Sequence, residues 1–283
     1  MNIRLIAKLD IKGPNLVKGI RMEGLRVLGR PGPFARRYYE EGIDELLFVD
    51  SVASLYGRNN LLGIIEQTAK EIFVPLTVGG GLRSLDDIRD VLRAGADKVS
   101  LNTAAIKDPD IIAKASRRFG SSTIVLSIPV MKSPDTKTHV VYTEYGRQNT
   151  ERDALDWAVR GVELGAGEIV LTSVEKEGTG RGFDLEILKK IADAVPVPVI
   201  VGGGAGRLDD LRAGIAAGAD AVCVASMLHY GIFRDMASER PVEGNTVLMD
   251  NKKIPAFITP AGARHIKDDW TRAGIATRPA GAL

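Results

Sequence analysis

The residues that could do chemistry fall at the ends of short apolar runs. Asp10 ends the run IRLIAKLD, Asp50 ends ELLFVD and Ser173 ends EIVLTS, while Asn102 and Ser226 follow KVSL and AVCVA. A carboxylate such as Asp10 at a strand end, followed by Lys12 and Lys18, suits general acid–base work. Glycines gather at the same ends: Gly81 closes one VGGG, Gly203 and Gly204 close a second, and Gly178 lies in EKEGTG. Bare glycine N–H groups beside Asn102-Thr103, or beside Ala225-Ser226, suit a phosphate. Two such places suit a ligand with a phosphate at each end. At the opposite ends, Arg4, Glu45, Lys98 and Glu168 start four runs. Two cations and two anions in one layer of a core should alternate and pair, because burying an unpaired charge is costly. Spacing alone leaves open whether that layer is a structural plug or a gate.

The elements that must hold these residues occur twice. VGGGLRSLDDIRDVLRAGADKVSLNTAAI at 78–106 returns as VGGGAGRLDDLRAGIAAGADAVCVASMLH at 201–229, a shift of 123 residues. The same shift relates GIDEL at 42–46 to GAGEI at 165–169. A repeat of this length implies two superposable halves. Each copy reads strand, glycine turn, helix opened by acids, strand. The two Leu-Asp-Asp triplets put carboxylates where a helix N-terminus has free N–H groups.

Taken in order, the chain alternates strands and helices. Strands are expected at 3–10, 45–50, 74–78, 98–101, 123–128, 168–173, 199–202 and 220–225, with a loop or hairpin after Gly13-Pro14-Asn15. The pattern loosens over 130–145, which reads as an excursion with a short hairpin, and a helix is expected from Arg152. Eight strands in two similar halves predict a (β/α)8 barrel, with a doubly wound open sheet as the runner-up. Residues 1–283 then form one barrel with an insertion at 240–259. That insertion should hold a hairpin over 246–258, and a closing helix should start at Pro260, capped by Thr259. The tail 278–283 is expected to fray.

Composition narrows the function. The chain has 283 residues, 45% hydrophobic and 26% charged, with net charge +2, as in an ordinary enzyme with a large core. That balance gives no reason to invoke nucleic acid or a membrane surface. A single cysteine, Cys223, in an apolar strand excludes a disulfide framework and reads as core. With no signal pattern and no spanning run, a cytoplasmic location is expected. No metal or organic cofactor is expected.

The motifs AKLDIK, LVKG, GIDELLFVD, PLTVGGG, GADKVSLNTAA, GAGEIVLTS, GGGAG and VASMLH, from Ile3 to about His229, carry a resemblance. The chain resembles the cyclase subunit (HisF type) of imidazole glycerol phosphate synthase. The resemblance implies ammonia arriving from a glutaminase (HisH-type) subunit on the N-terminal face, through a charged gate matching Arg4, Glu45, Lys98 and Glu168. It implies Asp10 as a catalytic aspartate. It implies a phosphorylated substrate held by Lys18, Asp50, Gly81, Asn102, Thr103, Ser173, Glu177, Gly178, Gly204, Ala225 and Ser226. Three departures stand out: the family's second aspartate falls on Pro129, its acids after strand six are Glu175 and Glu177, and a serine after strand seven is Gly202. These departures, with the segments at 57–87 and 145–158, look more like a paralogue branch serving amidation of surface sugars beside a separate amidotransferase. The alternatives are a genuine histidine-pathway cyclase, which converts PRFAR and ammonia to imidazole glycerol phosphate and AICAR, and a non-catalytic ammonia conduit.

Overall fold

The fold begins with a strand whose two faces have different work. In β1 (Arg4–Lys12), Leu5, Ala7, Leu9 and Ile11 are fully buried against the outer helices. Arg4, Ile6, Lys8 and Asp10 alternate with them and therefore face the other way, into the interior. In the computed structural model, which describes residues 2–53, 61–233, 244–247 and 254–281, this strand is one of twelve in a single sheet. The others are β2 (Asn15–Ile20), β3 (Glu23–Gly29), β4 (Glu45–Asp50), β5 (Leu76–Gly79) and β6 (Lys98–Leu101). They continue with β7 (Ile124–Lys132), β8 (His139–Thr143), β9 (Gln148–Asp153), β10 (Glu168–Ser173), β11 (Val199–Gly202) and β12 (Ala221–Val224).

Eight of the strands run parallel and close on themselves. The ring runs β1, β4, β5, β6, β7, β10, β11, β12 and back to β1, with helices between. It is the expected (β/α)8 barrel, and closure leaves no open edge within it. The 123-residue repeat reappears as repeated bonding. Asp97 Oδ2 accepts from Leu76 N–H at 2.8 Å and Asp220 Oδ2 from Val199 N–H at 2.9 Å. Asp87 Oδ2 accepts from Ser84 N–H at 2.9 Å and Asp210 Oδ2 from Arg207 N–H at 3.0 Å, each fixing a helix start. Gly80 and Gly203 both have positive φ, and each lies so close to a neighbouring backbone, at Asp50 and Ser173, that a side chain would collide with it.

Several local expectations need correction. Strand β7 does not stop at Ile128. It runs to Lys132 because Val130, Met131 and Lys132 pair antiparallel with Val141, Val140 and His139 of β8. Arg152 belongs to β9, and the following helix, Ala154–Glu163, is capped by Asp153, whose Oδ1 accepts from Leu155 N–H at 2.8 Å. The stretch after Gly13 forms the β2–β3 hairpin.

The closing helix is Ala263–Arg272, and it does not start at Pro260. Thr259 N–H is bonded to Gly206 O and Ala261 N–H to Met227 O, which hold that segment against the rim. Glu41 Oε2 takes Ala263 N–H at 3.0 Å and so does the capping from across the fold. Of the hairpin expected over 246–258, residues 254–258 form no strand, and 248–253 lie outside the described residues. The tail expected to fray starts docked at Arg278, and residues 282–283 lie outside the described residues. Arg278 Nε donates to Asp44 Oδ1 at 3.0 Å, beside Lys267 Nζ at 2.6 Å, while Asp44 Oδ2 accepts from Leu5 N–H. One half-buried carboxylate thus ties the first strand to the last helix and to Arg278.

A second tie joins the first helix to the helix that follows β12. Tyr38, on helix Pro31–Glu40, and His229, on helix Ser226–Ile232, are fully buried, with the hydroxyl 2.5 Å from Nδ1. Burial, aided by Lys18, pulls His229 down to about 3. The unfolded chain protonates its histidines near pH 6.5, whereas the folded one keeps His229 neutral. Stability is therefore intact above about pH 6.5 and is lost as pH falls from there towards 3. The expected loss at pH 5 is about 2 kcal/mol. Urea melts of the wild type and of His229→Gln at pH 7.5 and 5.0 check this: the variant should lose less on acidification, and an equal loss would contradict it.

Candidate active site at the mouth of the barrel

The barrel interior is built in layers along its axis. At the N-terminal end, Arg4, Glu45, Lys98 and Glu168 each begin a strand, and they close a ring. Arg4 Nη1 meets Glu45 Oε1 at 2.6 Å and Nη2 meets Glu168 Oε1 at 2.6 Å. Lys98 Nζ meets Glu45 Oε2 at 3.1 Å and Glu168 Oε2 at 3.0 Å. Each carboxylate binds both cations, so the alternation expected from the sequence is what the fold builds. Above the ring lies an apolar layer of Ile6, Leu47, Val125, Val170, Ile200, Ala221 and Cys223. Burial there pushes the Cys223 thiol up to about 12, which makes it an inert core residue.

A second charged group sits above that layer, at the mouth. Lys8 Nζ is 3.0 Å from Asp10 Oδ1, and Lys18 pairs with Glu177 from the loop after β10. All four side chains are buried. Burial alone would lower Lys8, but Asp10 and Glu177 more than offset it, so its pKa is raised. Burial likewise pushes Glu177 up, but Lys18 and Lys8 outweigh it and hold the carboxyl below its ordinary range. Glu177 is therefore a fixed anion, unsuited to donating a proton near neutral pH. The Tyr145 phenol is pushed well above 10, by burial first and by Asp10 and Glu177 next.

A cavity of about 330 Å³ opens from this group towards the first half of the barrel. Asp50, Gly81, Asn102 and Thr103 line it together, with Arg83 and Lys107 as cations suited to an anion. The polar groups of Asn102 and Thr103 are partly committed. Asn102 Nδ2 donates to Ser127 O at 3.2 Å and Tyr142 O at 3.1 Å, and Thr103 Oγ1 accepts from Glu144 N–H at 3.1 Å. Both residues thus pin the excursion to the barrel as well as facing the cavity. Asp50 Oδ1 accepts from Val52 and Ala53 N–H groups and shapes the loop after β4.

Pro129 lines the same cavity. It stands mid-strand without breaking the ladder, for a positional reason. Pairing with β6 ends at Leu126, and pairing with β8 begins at Val130. Ser127 O faces Asn102, whereas Val130 O faces Val174 N–H. Alternate residues share a side, so the missing N–H of Pro129 faces the gap between β6 and β8.

The second half is arranged differently. Ser173, Gly178, Gly204, Ala225 and Ser226 lie at or just beyond the C-terminal ends of β10, β11 and β12, which are neighbours. None of them lines the 330 Å³ cavity. Gly178 packs against the backbone of Gly19 in β2, and Gly204 O accepts from Gly182 N–H at 2.9 Å. The carbonyl of Phe257 lies against Gly180 and Gly206, so the segment leading to the closing helix covers these loops. Gly202 ends β11. Glu175 is exposed and lines a rim cavity of about 700 Å³ with Arg21, Lys176 and Arg181.

Sequence reasoning marked Lys8 only as a polar exception on an apolar strand, without a role, and passed over Tyr145; both lie at the mouth. The signal for Lys8 was present: Arg4, Lys8 and Asp10 keep a period of two on an otherwise apolar strand. Tyr145 lies in the turn of an irregular excursion, at φ 57°, and no periodicity announces it.

The charged ring yields a stability test. Removing one partner of a buried ion pair costs about 3–5 kcal/mol, and Lys98→Met leaves two carboxylates facing each other, so a loss near the low end, about 3 kcal/mol, is expected. Denaturant melts of this variant and of Lys98→Met/Glu168→Gln, which leaves Arg4 paired with Glu45, check it. The double variant should recover part of the loss. No loss in the single variant would mean the ring is not closed in solution.

Comparison with known proteins gives the chain its relatives. Residues 4–234 match the profile of the family described as histidine biosynthesis protein. The imidazole glycerol phosphate synthase subunit HisF of Legionella pneumophila is 54% identical over 211 residues, which is 75% of this chain and 99% of the relative. The subunits of the same name from Corynebacterium glutamicum strain R and Petrotoga mobilis are 47% and 43% identical, over 81% of this chain and 90% and 91% of theirs. No helix among the described residues is long and apolar enough to cross a membrane. With the barrel, the paired charge layer and these matches in hand, the chain belongs to the histidine biosynthesis protein family and, within it, to the HisF type of imidazole glycerol phosphate synthase subunit.

Proposed function

We propose that this protein is the ammonia-accepting subunit of a glutamine-dependent complex of the imidazole glycerol phosphate synthase type. Ammonia enters from a glutaminase subunit on the N-terminal face and meets a phosphorylated substrate at the mouth. The observation that carries the reading is the closed ring of Arg4, Glu45, Lys98 and Glu168, stacked on the same interior as the cavity. Ammonia is small and neutral, so it can cross an apolar layer that excludes ions. The ring excludes bulk water and cations where the layer begins. Arg83 and Lys107 beside Gly81 suit one substrate phosphate, and the glycines beyond β10 and β11 suit the other.

The relatives are named for imidazole glycerol phosphate synthesis, which favours the histidine-pathway alternative over amidation of surface sugars. No residue at the mouth speaks for a sugar acceptor or a separate amidotransferase, and that branch is set aside. Closing an imidazole ring with ammonia requires a C–N bond to a carbonyl carbon and departure of water. Such steps need a proton donor and an acceptor. The mouth offers Asp10 with Lys8, and offers Pro129 where the family has a second aspartate. General acid–base groups contribute about 10²–10⁴-fold each, so kcat is expected to fall below that of a two-aspartate relative by up to that factor.

The test supplies PRFAR with ammonium chloride, which bypasses any glutaminase, and then repeats the assay with glutamine and a cognate glutaminase. Measurable formation of imidazole glycerol phosphate under both conditions is expected, together with co-purification of the two subunits. No product under either condition would reject the reading. Product with ammonium but never with glutamine would remove the glutaminase partner alone.

A further inference from the structure

In the reading above, Lys8 enters only as the partner of Asp10. We infer that Lys8 is the proton donor the cavity offers to its ligand, held in place by Asp10, in the role that a carboxylate at position 129 fills in the family. The inference rests on the cyclase reading proposed above.

Three observations carry it. First, Lys8 lines the cavity, whereas Asp10 has no exposed surface and is not part of the lining. A ligand there meets the ammonium and not the carboxylate. Second, Pro129 lines the same cavity, so donor and vacated position face one ligand. Third, the ammonium is fixed. Asp10 Oδ1 lies 3.0 Å from Nζ, and the Tyr145 ring centroid lies 5.8 Å away. Lysines are almost never fully buried unless paired. Pairing alone explains the burial, but a lysine that only neutralised Asp10 needs no face on the cavity. Asp10 and Glu177 outweigh the effect of burial, so the nitrogen stays protonated until the carbonyl oxygen, on gaining the π pair, becomes a base strong enough to take a proton from it.

The step balances without any further reactant. As the ammonia lone pair forms the C–N bond, the carbonyl π pair moves to oxygen, and that oxygen takes a proton from Lys8 Nζ. The new ammonium on carbon then returns a proton to the Lys8 amine. The product is a neutral carbinolamine, and Lys8 is again an ammonium. Asp10 touches no reacting atom in this step; it is a positioning residue that keeps Nζ charged and aimed.

The experiment compares kcat and KM for PRFAR and ammonium chloride in the wild type, Lys8→Gln, Lys8→Arg, Pro129→Asp and Lys8→Gln/Pro129→Asp. Thermal melts confirm that each is folded. Gln keeps a hydrogen-bond donor for Asp10 without the ammonium. Arg keeps the charge but does not release a proton. The expected result is a kcat loss of about 100-fold or more in both Lys8→Gln and Lys8→Arg, with little change in KM, and recovery when Pro129→Asp is added. Activity restored by Lys8→Arg would show that charge alone is needed and would overturn the donor role. Full activity in folded Lys8→Gln would overturn it while leaving the cyclase reading intact. The same holds if the wild type is inactive and Pro129→Asp is active, because Lys8 then failed to substitute. If both are inactive, the substrate reading fails and the role of Lys8 goes with it.

Discussion

The structure depends on one constraint: a charge placed inside a closed barrel must be paired there. The interior of an eight-stranded barrel is filled by side chains in layers and has no room for bulk water. Taking ions out of water costs several kcal/mol each, so buried charges survive only in compensated sets. Among the described residues, the barrel interior and its mouth contain two such sets. Arg4, Glu45, Lys98 and Glu168 close one end of the interior, and Lys8, Asp10, Lys18 and Glu177 lie at the other. The apolar layer of Ile6, Leu47, Val125, Val170 and Ile200 keeps them apart. Because β1 supplies Arg4, Ile6, Lys8 and Asp10, one alternating strand takes part in all three levels.

Much of this was legible in the sequence, and the readable parts share a property. The repeat is local: Asp87 and Asp210, and Asp97 and Asp220, bond to residues within about a turn or to the preceding strand, so a shift of 123 residues carries geometry as well as letters. The ring at the strand starts was legible because its members are the polar first residues of apolar runs. What escaped the sequence depends on long-range contacts. Glu41 capping a helix at Ala263, or Asp44 holding Lys267 and Arg278, joins residues more than 200 positions apart, and no spacing rule anticipates such a bond. The extension of β7 escaped for the same reason, since only pairing with β8 turns Val130–Lys132 into strand.

The two halves share a repeat but present different surfaces. In the first half the glycine turn, Asn102 and Thr103 border an open cavity; in the second, the segment before the closing helix lies over Gly180 and Gly206. The loop after β10 packs on the β2–β3 hairpin, with Arg21 N–H bonded to Glu177 O at 2.7 Å. Access to the second set of glycines therefore runs past elements that the repeat does not contain. Pro129 fits the same picture. It occupies a gap that exists because β6 ends early and the excursion begins late, so the strand tolerates a residue with no N–H there.

The central claim is that nitrogen travels through the barrel from the ring to the cavity. The most direct measurement is an isotope competition in the complex with its glutaminase: glutamine labelled with ¹⁵N at the amide, in the presence of excess unlabelled ammonium at a pH where little free ammonia exists. The account predicts that product formed from PRFAR carries the glutamine label almost quantitatively, because the transferred ammonia never mixes with the solvent. Product labelled in proportion to the bulk ammonium pool would mean that nitrogen reaches the mouth from outside, and the stacked charged layers would then have no part in its delivery.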